Sequence, residues 1–353
     1  MKHRIYRLNQ AKDLSNCEKI NKSPHVCNGC ELKPICRKIK YTYDATSAHN
    51  DYMRTLVDKR ANLYITKDQI SSINEFIAPL MIEKHHSVNH IYIEHSELLP
   101  FSKSTFYKYI DLGILNVRNI HLTRKVRYKV KKEVNYDRHE RLNPKIKIHR
   151  FYRDFKDYIE LNPNASIVEM DTVIGTSGGK GGKCFLTLLF RQFNFMLVYL
   201  LPYKKSEYVT KVFNQLKEQL GTDEFKRLFQ VILTDNGTEF SDPESIEIDP
   251  ETGEVLCQLF YCDPNSSWQK GSLEKNHEYI RYVLPKGTSF AKLSQDDCFL
   301  LSSHINSIPR LSLNNHSPYE SALLFIGEKN MRTLNISKLD YKDVNCSPSL
   351  LIK

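Results

Sequence analysis

With 353 residues the chain has room for two or three domains and one sizeable core, and 51 Lys+Arg against 41 Asp+Glu give it a net charge of +10. Its polar start, MKHRIYRLNQ, argues against a secretory signal, and the longest apolar stretch, 184–201, is too broken by Arg191, Gln192 and Asn194 to span a membrane. Nine cysteines in such a chain are expected as thiols or metal ligands rather than disulfides, and the expected compartment is the cytoplasm.

The charge is unevenly spread. Residues 1–165 hold 31 Lys+Arg and 18 Asp+Glu, whereas 166–353 hold 20 and 23. A basic front half and a mildly acidic rear half suit a polyanion-gripping module joined to a metal-dependent catalytic one, although a solvated basic face gives the same balance. Near the N-terminus, Cys17, Cys27, Cys30 and Cys36 fall within twenty residues, with the tight pair spelled CNGC. A Cys-x-x-Cys knuckle brings two thiolates to one tetrahedral zinc and the outer cysteines can close the site. His25 is a rival fourth ligand, and a redox dithiol or ordinary buried thiols are the other readings.

From Thr66 the pattern turns helical: Ile70, Ile73, Phe76, Ile77, Leu80 and Met81 recur on one face. A second short helix is expected at about Val88 to Glu94. A third starts after a capping Ser102 and buries Phe106, Tyr109 and Ile110. Three such helices read as a helix-turn-helix unit whose last helix offers Lys103, Ser104, Tyr107 and Lys108 to DNA; small three-helix bundles of other function share the pattern. The stretch from Arg124 to Arg150 then packs eleven Lys/Arg against Glu133, Asp137 and Glu140. Arg124, Lys125, Arg127, Lys129, Lys131 and Lys132 head this strap, too charged for a core and suited to lie along phosphates, or to serve as a solvated linker.

Beyond Pro163 the sequence becomes β-rich. Strands are expected at Ile167–Ile174, Cys184–Phe190 and Phe195–Leu201, a helix at Ser206–Leu220, and strands at Phe229–Thr234 and Leu259–Cys262. The glycine-rich GTSGGKGGK lacks phosphate-loop spacing and reads as a hairpin connection. Gly271-Ser272 opens a last helix, Leu273 to Val283, which Pro285 stops. This β-β-β-α-β-(β)-α order is that of a ribonuclease-H-like domain, whose first and fourth strands are neighbours. Asp171, mid-strand in IVEMDTV, would then lie beside Asp235 at the end of VILTD, and Glu274 on the helix would supply a third carboxylate. Carboxylates so grouped repel one another unless divalent cations sit between them, which points to phosphoryl transfer on nucleic acid. Glu278 and Glu169 are the rival ligands in their segments.

VEMDTV, VILTDNGTEF, FYCDP, SWQKGSLEKNHEYIRYVLPKGTSF and INSIPRLSLNNHSPYE together resemble the catalytic core of bacterial insertion-sequence transposases of the IS-thirty family, members of the DDE transposase and retroviral integrase superfamily. The likeness covers most of residues 17–330. It implies a multi-domain chain: a small zinc-binding module at 1–45, an all-α helix-turn-helix domain at 46–123, a basic linker at 124–160, an α/β ribonuclease-H-like integrase core with a mixed sheet at 161–330, and a tail at 331–353. It matches the family's three acids to Asp171, Asp235 and Glu274, and Trp268 and Lys286 to positions near the DNA end. It further implies two Mg²⁺ or Mn²⁺ ions, a structural Zn²⁺, and double-stranded DNA as partner, both inverted repeats and target. A homo-oligomer on DNA, association with the bacterial nucleoid and no membrane partner complete the expectation. Lys275 and His277 stand where many relatives carry asparagine. Relatives usually have a further helix-turn-helix upstream, so the chain is expected to be a truncated frame or fragment. The competing readings are a nuclease that cuts without joining and an inactive DNA-binding regulator of transposition.

Overall fold

The computed structural model describes residues 4–7, 15, 17–61, 65–122, 144–176, 182–264 and 266–351, and the chain divides into two compact units, 1–67 and 68–353. In the first unit β1 (Arg4–Arg7) pairs antiparallel with β2 (Lys40–Tyr43), and α1 (Ala45–Ala61) follows. The Asn28 side chain imitates a strand neighbour, donating to Tyr43 O at 2.8 Å and accepting from Tyr43 N at 2.7 Å. The core cluster here is Ile20, Ile39 and Tyr41 with Cys27 against it.

The second unit opens with three helices. α2 (Lys67–Ala78) runs into a π-helical turn, Pro79–Glu83; α3 (Val88–His95) is capped by Ser87 and α4 (Lys103–Asp111) by Ser102, each hydroxyl accepting a backbone N–H of the first turn. Ile73 and Ile77 of α2, Ile91 of α3 and Phe106, Tyr109 and Ile110 of α4 are buried, as the helical spacing of apolar residues requires. The α2–α3 connection is held by the C-terminal segment: His86 Nε2 lies 2.7 Å from Val344 O, Cys346 N donates to Lys84 O, and Lys84 Nζ donates to Lys342 O. Stacked on His86 at 4.1 Å is His90, only 2% exposed.

This packing makes stability depend on pH. Burial, then the neighbouring charges of His86 and His95, push the His90 pKa down to about 3, and burial pushes that of His304 down to about 4. A histidine whose folded value lies below its unfolded one stabilises the fold fully above about pH 6.5; below that, each loses up to about 1.4 kcal/mol per pH unit. The melting temperature is therefore expected to fall steadily from pH 6.5 to 4.5, and less steeply in His90→Gln. An unchanged slope in that variant would show that His90 is not among the groups responsible.

After α5 (Tyr152–Leu161) comes a five-stranded sheet of order β5-β4-β3-β6-β7: β3 (Ile167–Ile174), β4 (Cys184–Phe190), β5 (Phe195–Leu201), β6 (Val231–Thr234) and β7 (Gln258–Tyr261). β3, β4 and β5 pair antiparallel, while β3–β6 and β6–β7 are parallel. The sheet is mixed, and its first and fourth strands are neighbours, as the element order implied. All seven residues of β4 are buried, because helices cover both faces and no side need be polar. On one face the core gathers Val168, Met170 and Ile232 with α6 (Ser206–Leu220), α7 (Thr222–Leu228), α11 (Pro318–Ile326) and α12 (Glu328–Thr333), past the short α8 (Glu244–Glu247). On the other, α9 (Gly271–Val283) and α10 (Gln295–Asn306) pack on Val173, Phe185 and Val198, and α5 packs on Val231, Leu233 and Phe260. The fourth and fifth strands start at Val231 and Gln258, within two residues of the limits expected from hydrophobicity.

Candidate active site

The parallel pairing of β3 with β6 ends at Glu169 opposite Leu233. Carried two residues further, the same register reaches Asp171 on β3 and Asp235 just after β6. Each aspartate spends one oxygen on its own backbone: Thr172 N donates to Asp171 Oδ1 at 2.8 Å, and Gly237 N to Asp235 Oδ1 at 3.0 Å. In the turn after Asp235 a side chain at Gly237 would meet the carboxylate of Glu239, which would have to shift. Glu239 is itself buried and held by Thr172 Oγ1 at 2.7 Å and Lys204 Nζ at 3.1 Å.

The remaining oxygens converge on a lysine that composition and spacing do not single out. Lys270 Nζ lies 3.4 Å from Asp171 Oδ2 and 3.7 Å from Asp235 Oδ2, and donates to Met170 O at 3.1 Å. It ends the 3₁₀ turn Ser267–Lys270 that leads into α9, and it is 5% exposed. Burial opposes its charge, but Asp171 and Asp235 outweigh burial and hold its pKa above the ordinary lysine value. A lysine at the start of a helix is normally solvated, so the only sequence signal was its place four residues before Glu274.

α9 is fastened to this end of the sheet. Glu169 accepts Arg191 Nε on Oε1 at 2.6 Å and the backbone N–H of Leu273 on Oε2 at 2.8 Å, and is 1% exposed. With both oxygens taken, Glu169 orients the first turn of α9 and is unsuited to hold a metal. His277 shares a 2.8 Å hydrogen bond with Thr187 Oγ1, whose strand position pairs with Asp171. Burial, then Lys270 and Arg281, push the His277 pKa down to about 3, so the ring is neutral near pH 7. Arg281 Nη2 donates to Ile174 O at 3.1 Å. Glu274 is exposed on the same helix one turn beyond Lys270, and Glu278 is half-buried a turn further on.

Two carboxylate oxygens around one buried positive charge make a group whose chemistry fits a cation. The third acid is not part of it: among the described residues no group of three or more His, Cys, Asp or Glu side chains is gathered to hold a metal ion. The same holds for the cysteines. Cys17, Cys27, Cys30 and Cys36 are all free and half-buried, although Tyr41 N approaches Cys27 Sγ at 3.4 Å, the kind of donor that steadies a ligand thiolate. His25 is turned to the Ile20 carbonyl at 2.9 Å.

The expected DNA contacts fall into three groups. Trp268 is 71% exposed, with its ring 6.1 Å from Tyr152, and Lys286 is exposed in the turn that follows α9. On α4, Ser104, Tyr107 and Lys108 are exposed, but Lys103 is held by Asn89 Oδ1 at 2.7 Å. Tyr107 also lines a cavity of about 450 Å³ with Lys275 and Tyr279 of α9. Arg124, Lys125, Arg127, Lys129, Lys131 and Lys132 lie outside the described residues. No helix among the described residues is long and apolar enough to cross a membrane.

No family model matches the chain. It is similar to a probable transposase for the insertion-like sequence element IS1161 of Streptococcus salivarius, 26% identical over 292 residues, which cover 81% of this chain and 73% of that protein. It is 29% identical over 156 residues to the transposase InsI for insertion sequence element IS30A of Escherichia coli (strain K12), covering 43% of this chain and only 36% of the relative. Among solved structures, the catalytic core domain of BIV integrase aligns with 46% of this chain and 96% of its own at 13% identity and a TM-score of 0.33, too low to compare the folds.

Proposed function

We propose that this homologue of bacterial insertion-sequence transposases cleaves DNA phosphodiester bonds and joins the cut end to a second DNA, with Asp171 and Asp235 holding divalent cations and Glu274, apart from them without metal, joining them when the cations bind. The observation that carries this reading is the convergence of Asp171 Oδ2 and Asp235 Oδ2 on one buried positive charge just past the point where the parallel pairing of β3 and β6 ends. Bound there, Mg²⁺ or Mn²⁺ would activate a water or hydroxyl oxygen and neutralise charge at the leaving oxygen. The chain itself supplies position. The β3–β6 register fixes the two aspartates, Glu169 fixes the start of α9 and therefore Glu274, and neutral His277 ties that helix to β4 without adding charge beside the carboxylates. Exposed Trp268 and Lys286 are suited to stack on and neutralise DNA near the site, with Ser104, Tyr107 and Lys108 of α4 and the strap from Arg124 as further contacts.

Incubating the protein with duplex carrying the element's ends and a plasmid target, with and without Mg²⁺, tests the reading. Nicked ends and joined products are both expected, and only with the cation. Nicks without joined product would make the protein a nuclease; DNA retention with neither product would make it a regulator.

The first unit is proposed to take one structural zinc through Cys17, Cys27, Cys30 and Cys36. The support is the CNGC knuckle and the backbone N–H directed at Cys27 Sγ. Elemental analysis is expected to find about one zinc per chain, lost together with unit stability in Cys27→Ser or Cys30→Ser. A normally folded protein purified without zinc would reject the proposal.

A further inference from the structure

Lys270 is paired more completely than a DNA-contacting lysine would need to be. Its ammonium reaches both aspartates and a main-chain carbonyl from a position 5% exposed. A lysine in such a place costs desolvation that only its partners offset. The backbone beneath it is rigid: Gln269 accepts Asp263 N at 2.8 Å, donates to Asp263 Oδ2 at 2.8 Å, and through its carbonyl accepts Arg191 Nη2 at 3.0 Å. Each partner is also prepared for the ammonium to leave. Met170 O keeps the hydroxyl of Thr234 at 3.2 Å, and Oδ1 of each aspartate keeps its backbone N–H. Only the two Oδ2 atoms would be left without a partner, and these are the atoms a divalent cation would take.

We propose that Lys270 is the internal counter-ion of this carboxylate pair: without metal its ammonium holds Asp171 and Asp235 together, and a divalent cation binds by displacing it. This rests on the reading of the two aspartates as cation ligands. An ammonium 3.4 and 3.7 Å from the two oxygens stands where the ion would sit, and like charges that close cannot both remain. Lys270 is thus a positioning residue that sets how readily the site loads.

The test uses the full chain with Lys270→Met, close in length and uncharged, and Lys270→Arg, which keeps the charge. Lys270→Gln replaces the methionine variant if that protein does not fold. In EDTA, Lys270→Met is expected to lower the melting temperature in the parent background but much less in an Asp171→Asn/Asp235→Asn background, with Lys270→Arg restoring most of the loss. In a calorimetric Mn²⁺ titration, Lys270→Met is expected to bind about tenfold tighter or more, since the competing charge is gone. Equal destabilisation in both backgrounds would reduce Lys270 to ordinary packing and overturn the proposal. So would Mn²⁺ affinity that stays the same or weakens in Lys270→Met. If neither parent nor variant binds Mn²⁺ while the coupling in EDTA persists, the metal reading itself fails and the displacement fails with it.

Discussion

Asp235→Asn is expected to lower DNA cleavage by about a thousandfold or more, as removing a metal-bound charge from the reacting centre should, while DNA affinity changes little. Asparagine retains the Oδ1 acceptor that Gly237 N uses, so the turn survives. What disappears is the charge on Oδ2, the atom facing Lys270. Asp171→Asn should act alike on cleavage and cost more stability, because its side chain is 21% exposed against 47% for Asp235 and it stands closer to the buried ammonium. Cleavage and filter binding measured on the same duplex separate the two effects. A variant that still cleaves at the parental rate would remove its aspartate from the site. Glu274→Gln and Glu278→Gln in the same assay decide which acid of α9 takes part; the assignment to Glu274 is reversed if Glu278→Gln is the inactive one.

The opposite signature is expected at the neighbouring acid. Glu169→Ala should destabilise the second unit by about 3 kcal/mol, the lower end of the cost of breaking a buried pair, because Arg191 is still 28% exposed and can be partly rehydrated. The loss has two sources: Arg191 is left without its carboxylate, and Leu273 N loses its acceptor in the first turn of α9. Glu169→Gln keeps an acceptor for Leu273 N and should recover part of the loss. Urea unfolding followed by circular dichroism measures both. Mn²⁺ affinity should be the same in Glu169→Gln as in the parent, since neither oxygen of Glu169 is turned to the aspartates. A clear fall in affinity would restore Glu169 as a ligand.

These two acids are two residues apart on one face of β3, and nothing in IVEMDTV distinguishes them. Alternation shows that Glu169 and Asp171 share a side, and no more. The difference comes from what stands opposite each: Arg191 after β4 and the start of α9 for one, Lys270 and the end of β6 for the other.

The sequence by itself determined the elements with a strong local pattern, α2 to α4, β3 to β7, α6 and α9, and left β1, β2, α1, α5, α7, α8 and α10 to α12 unread. Helical spacing, the serines capping α3 and α4, and the apolar runs of β3, β4 and β5 are local signals, and a turn or strand forms where neighbouring residues agree on one backbone geometry. A return through α6 explains why β6 runs parallel to β5, but its place beside β3 is a property of the sheet order β5-β4-β3-β6-β7. Only the tertiary structure decided which charges meet. Lys270 is a hundred residues from Met170 in sequence, Glu169 is about as far from Leu273, and His86, just ahead of α3, is bonded to Val344, 258 residues away. Such contacts depend on which distant groups are brought into the same small volume out of water, where an unpaired charge is costly and a partner must be found. No local pattern encodes that choice.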